Sequence, residues 1–244
     1  MRINKETKKM KINYDYITYE DVLRARQFMY EQALEQNATN SLLNTARDLF
    51  GNSNFEMCIK ICEGLLDAKD PKQLYDAKKL IALSYYSLQD FENADNAFFD
   101  IAQNSDNSDD WFNVVISAAL NKNIERSKES FGIALEKYTK FGHQRNMPSV
   151  QLMLHYMITL ETVKEYVLAL EQCRMLVQVY AKLKKTDEKF LSSRGLEQIE
   201  NFLETAKPVL KKAKKKELTE IKKELVEALD ANGVEKVEAF FAEF

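Results

Sequence analysis

One interval recurs along this chain and limits what it can become. Tyr85 is followed nine residues later by Ala94 and four further on by Phe98, with Phe91 between them. Ala118, Ser127 and Phe131 repeat the spacing around Ile124, Leu49, Cys58 and Cys62 around Phe55, and Leu160, Ala169 and Cys173 around Tyr166. A small residue followed one helical turn later by a larger one is what closely packed helices need: the first lets the backbones approach, the second fills the gap. Four such blocks predict four helical hairpins, bending near Phe55, Phe91, Ile124 and Tyr166. The bend-to-bend intervals are 36, 33 and 42 residues, so extra chain enters between the third and fourth hairpins.

Only six Gly and three Pro in 244 residues leave few places to turn β-strands, and the fold class read from this is all-α. The 45% hydrophobic content supports a continuous core in a chain long for one compact domain but ordinary for a solenoid. A formal charge of -3 gives no global attraction to nucleic acid or membrane. No apolar run approaches the ~18 residues of a membrane span, and the first residues are charged and polar where a signal peptide needs an apolar core. Three cysteines, an odd count, fit a reducing compartment, and a cytoplasmic location is expected.

The four blocks resemble the tetratricopeptide repeat family, whose signature places Trp, Leu, Gly and Tyr on one helix and Ala then Phe on the next. The tightest match is Lys78, Ile81, Ala82, Tyr85, Phe91, Ala94, Phe98 and Ile101. Next comes Trp111, Val114, Val115, Ala118, Ile124, Ser127, Phe131 and Ala134, where Trp111 takes the family's tryptophan position. The outer two repeats are degenerate. Ala46, Ala82, Val115 and Met157 replace the family's glycine, so Val115 and Met157 are expected to hold their helices further apart. The resemblance covers residues 39–183 and implies a tetratricopeptide-like α-solenoid, a right-handed superhelix of helical hairpins, with extra helices at both ends.

Around that core the chain divides as follows. Residues 1–17 form a basic arm, its first thirteen carrying Arg2, Lys5, Lys8, Lys9 and Lys11 against Glu6, read as a frayed terminus. Residues 18–38 form a capping helix with Val22, Leu23, Met29, Ala33 and Leu34 on its apolar side. Residues 187–216 hold another helix, expected to run unbroken from Asp187 to Ala206, and then a run with six lysines and no acid. Residues 217–244 read as an amphipathic hairpin, its first helix stopped by Asn232 and Gly233. Its last segment, with Val237, Phe240, Phe241 and Phe244, is too apolar to stay in water. It either packs back as a cap, the preferred reading, or docks another subunit.

Chemistry-bearing constellations are missing from the sequence. His143 and His155 are the only histidines, neither sits in a motif with Ser or Cys, and no Gly-rich phosphate loop exists, so no enzyme is expected. Cys58 and Cys62 share a helix face, but they occupy packing positions, and no metal or cofactor is expected.

What remains is the inner surface. The resemblance implies that the first helix of each repeat faces inward, through Leu43, Asn44, Arg47 and Phe50, then Lys79, Leu80, Leu83 and Tyr86. It continues through Phe112, Asn113, Ile116 and Leu120, then Leu154, His155, Ile158 and Glu161. The central wall is mostly apolar, and contiguous apolar surface marks a contact site. The function expected is a non-enzymatic interaction scaffold or chaperone-like adaptor binding an apolar or amphipathic peptide segment in that groove, anchored near Tyr86, Phe112 and Ile116. Some family members grip a terminal carboxylate with Lys, Arg and Asn. Lys79 and Asn113 match that set in part, but Leu83, Gln151 and His155 stand where Asn, Lys and Arg are needed. The groove is closer to that of bacterial secretion chaperones that shield apolar segments. The alternative is a self-assembling structural protein, a homodimer through the groove or the C-terminal helices. A third reading, a regulator binding nucleic acid or another anion, rests on the lysine run alone, which lacks guanidinium forks and stacking aromatics.

Overall fold

The computed structural model describes residues 19–141 and 147–244. Among them are twelve helices and no strand: α1 (Tyr19–Gly51), α2 (Phe55–Glu63), α3 (Pro71–Ser87), α4 (Phe91–Ala102), α5 (Ser108–Leu120), α6 (Ile124–Phe141), α7 (Ser149–Thr162), α8 (Tyr166–Leu183), α9 (Glu188–Ser192), α10 (Ile199–Leu210), α11 (Lys215–Ala228) and α12 (Ala231–Phe241). Neighbouring helices pair as hairpins, and the hairpins stack in a solenoid-like series. The basic arm of residues 1–17 and most of the expected loop between Phe141 and Pro148 lie outside the described residues.

The recurring interval has a backbone counterpart. α2, α4, α6 and α8 begin at Phe55, Phe91, Ile124 and Tyr166, the four expected bends. Two residues before each bend the chain enters the left-handed region, at Ser53 (φ 59°), Gln89 (φ 59°), Lys122 (φ 63°) and Lys164 (φ 69°). The next amide then reaches back to the preceding helix in the same way each time. Asn54 donates to the Leu49 carbonyl, Asp90 to Tyr85, Asn123 to Ala118 and Glu165 to Leu160, at 2.8–3.0 Å. This closure satisfies carbonyls that a helix end otherwise leaves unpaired. Phe50 and Tyr86, equivalent in the first two hairpins, each set a ring edgewise on the bend residue, Phe55 at 5.3 Å and Phe91 at 5.8 Å.

Helix starts follow from short polar side chains. Asp70 accepts from the Lys72 amide with Pro71 in the first turn, Asp90 accepts from Asn93, and Asn107 accepts from Asp109. The small-residue positions are all sealed: Ala46, Ala82, Val115, Met157, Cys58, Ala94, Ser127 and Ala169 are fully buried. Burial is organised as three successive apolar clusters. Leu43, Ala46, Cys58, Cys62, Leu65 and Ala77 join the first hairpin to α3. A second cluster around Phe98, Trp111 and Val114 joins α3, α4, α5 and α6. The largest runs from Phe112 to Phe240.

Three expected boundaries shift. The capping helix of residues 18–38 and the first helix of the first hairpin are one helix, α1, because nothing between Asn37 and Asn40 breaks the ladder. Its first half does not cover the end of the stack: Val22, Leu23, Phe28, Met29, Tyr30 and Leu34 are all exposed. The helix expected from Asp187 to Ala206 is two, α9 and α10. They part at Gly195 (φ 74°), where a Cβ would sit 2.7 Å from Pro148. The lysine run crosses the turn between α10 and α11.

Asn232 and Gly233 do not stop α11 either. Leu229 and Asp230 turn the chain, and Asp230 caps α12 by accepting from the Gly233 amide at 2.9 Å. The same carboxylate accepts from the amide and hydroxyl of Thr186, at 2.9 and 2.6 Å, which pins the last hairpin to the end of α8. Gly233 is required at this junction, since an added Cβ would lie 2.5 Å from Thr186.

Candidate functional site

α3, α5 and α7, the first helices of successive hairpins, contribute the walls of an open cavity of about 260 Å³. Leu83 and Tyr86 come from α3, Phe112, Asn113 and Ile116 from α5, and His155 and Thr159 from α7. Phe98 of α4 and Met147, just ahead of α7, complete it. The spacing explains the convergence: Leu83 and Tyr86 are three apart, Phe112 and Ile116 four, His155 and Thr159 four, so each helix turns one stripe to the same hollow. Phe112 (8% exposed) and Phe98 (3%) lie deep, while Tyr86 (37%) stands at the rim.

A polar cluster one turn away fixes the spacing of the walls. Asp110 is almost wholly buried. It accepts from the Tyr75 hydroxyl at 2.8 Å, the Ser105 hydroxyl at 2.7 Å and the Lys79 ammonium at 3.3 Å. Lys79 also donates to the Tyr75 hydroxyl at 3.0 Å. Burial pulls the Lys79 pKa down, but the bonds to Tyr75 and Asp110 outweigh it and leave the ammonium above the ordinary lysine value. Burial likewise pushes the Tyr75 phenol up. These groups clamp α3 to α5. Asp109 ties in the approach to α7 by accepting from the Met147 amide at 3.3 Å, and burial raises its carboxyl against the pull of that amide and Lys79.

The residues expected to line a groove therefore divide. Leu83, Tyr86, Phe112, Asn113 and Ile116 meet in one cavity, and His155 joins them. Lys79 is consumed by the clamp, and Arg47 is held by Asp76 at 2.8 Å and by Asn44. Leu80 packs on the first-hairpin cluster and Leu154 on the largest one; Leu120 is half-buried and Ile158 is exposed. Leu43, placed inward by the repeat alignment, is sealed in the core. The repeat pattern gives Phe98 a packing role alone, and Met147, just ahead of α7, and Thr159, within it, carry no signal of their own in the sequence. The pairing of Thr159 with His155 one turn earlier is the trace that points to Thr159.

Other candidates resolve differently. Of Val237, Phe240, Phe241 and Phe244, offered as a docking helix, the first two are buried against the chain's own α10 and α11, Phe241 is partly covered, and Phe244 alone is exposed. Cys58, Cys62 and Cys173 are buried free thiols, and burial pushes Cys62 and Cys173 up to about 12. No group of three or more His, Cys, Asp or Glu among the described residues is placed to hold a metal. No helix among the described residues is long and apolar enough to cross a membrane. A wider cavity of about 430 Å³ lies between α1 and the start of α3, but its walls are polar and bonded to each other, Lys69 to Glu35 and Gln36 to Asp70. It suits an apolar guest poorly. No family model matches the sequence, and no curated protein is significantly similar to it.

Proposed function

We propose that this chain is a non-catalytic interaction scaffold of the tetratricopeptide type, and that the cavity on α3, α5 and α7 receives an apolar side chain from an amphipathic or extended peptide segment. The observation that carries the reading is the convergence of Leu83, Tyr86, Phe112 and Ile116, from two different hairpins, on one open apolar hollow. Its volume matches one large aliphatic or aromatic side chain, and its polar edge of Asn113, His155 and Thr159 can meet the backbone or flanking polar groups of the same guest. The clamp around Asp110 keeps the walls at fixed separation, so little ordering is required on binding.

The test is selection from a displayed library of amphipathic peptides, followed by titration calorimetry. Selected peptides should share an apolar anchor. Tyr86→Asp, at the exposed rim, and Ile116→Asn, at a half-buried position and with its circular-dichroism melt checked alongside, should each weaken binding by about 10-fold or more, as for loss of a central contact. Failure to enrich any peptide, or binding indifferent to both substitutions, would remove the reading.

A further inference from the structure

Among the described residues, the first half of α1 packs no apolar side chain against the rest of the chain; its ties are polar ones at its end, from Glu35 and Gln36 to Lys69 and Asp70. Every described side chain from Val22 to Ala38 is exposed except Gln32, and the first core residue of α1 is Leu43. A solitary helical segment of this length is marginal in water, and most helices are held by an apolar face packed on something. Here Leu23 (44% exposed), Tyr30 (65%) and Leu34 (51%) remain uncovered.

These three, with Gln27, follow one another at intervals of four, three and four, the spacing of a two-helix seam. At ~100° per residue they lie on the side of α1 opposite Leu43 and Phe50, away from the body of the molecule. The seam is symmetric about the midpoint between Phe28 and Met29. In an antiparallel pair of identical helices Leu23 then meets Leu34 of the partner subunit, and Gln27 meets Tyr30 of the partner subunit. On one flank of the seam Arg24 and Glu31 stand seven residues apart, so the same pairing sets each Arg24 beside Glu31 of the partner subunit.

We propose that the projecting half of α1 is a self-association helix, and that its occupant is the same helix of a second copy, antiparallel, in a two-fold symmetric dimer. The two bodies then sit at opposite ends of the pair, where neither obstructs the other, and the cavity on α3, α5 and α7 takes no part. Eighteen residues of helix run about 27 Å. A seam of that length buries on the order of 1,000 Å² over both copies, at the small end of specific interfaces, which implies a dimer that dissociates on dilution.

Light scattering behind size exclusion, on the full chain from about 1 µM to about 1 mM, reads the mass. The expected result is a rise from one chain mass to two, abolished by Leu23→Asp with Leu34→Asp while the circular-dichroism melt of the remaining fold persists. Arg24→Glu alone and Glu31→Arg alone should each weaken the dimer on the order of 10-fold. The double variant, or a mixture of the two single variants, should restore it. A single mass at every concentration, a dimer untouched by the paired Asp substitutions, or charge reversals that the second reversal does not rescue would each overturn the proposal.

Discussion

Lys79 on α3 reaches across to the almost wholly buried Asp110 of α5, 3.3 Å away, and is its counter-charge. Its place in the repeat suggested a surface cation facing a ligand, yet the cation is spent neutralising Asp110, which sits 31 residues later on the next hairpin. Nothing in a linear pattern says that a buried acid waits there, because the pairing exists only once α3 and α5 are side by side. Lys79→Met leaves Asp110 with its two hydroxyl donors and no counter-charge, and should lower stability by about 1–3 kcal/mol in denaturant titration. The pH dependence has a definite sign. The folded ammonium holds its proton above the ordinary lysine value, so its contribution is complete below that value and fades as pH climbs through the raised one. The variant should therefore lose this alkaline component of the stability profile while its neutral-pH deficit remains.

At the scale of elements, the four hairpin bends were legible to the residue because a chain reversal needs the same packing every time: a large side chain at the new helix start and a closing amide behind it. What could not be read was where helices continue. Asn37 to Asn40 resembles a junction in composition, but without Gly or Pro the ladder passes straight through. Asn232 and Gly233 resemble a stop, but Asp230, three residues before Gly233, captures its amide and makes them a beginning. The bends also hold strain that sequence alone concealed, since Ser53, Gln89, Lys122 and Lys164 adopt a left-handed conformation that disfavours a Cβ. Lys122→Gly should relieve it and raise stability by about 0.5–1 kcal/mol, read as a shift in denaturant midpoint with unchanged slope.

Across the whole molecule the all-helical, stacked architecture was the most legible feature, because it depends on a repeated interval. The cavity was legible in part, through Leu83, Tyr86, Phe112, Asn113 and Ile116, since those positions recur with the repeat. Met147 and Phe98 were not, as one follows the stretch where the repeat interval lengthens and the other reaches the hollow from a second helix. The three clusters differ in size, and the one joining the first hairpin to α3 is far smaller than the one running from Phe112 onward. Stability is then graded along the length of the molecule. Hydrogen exchange should find the α2 amides and those of α1 near Leu43 opening at lower denaturant than those of α7 and α8. The hollow proposed to hold a guest is seated inboard of that weak end. A tug on α1, from another molecule or from an attached chain, would be absorbed by peeling the outermost hairpin, and whatever is lodged between α5 and α7 would stay lodged.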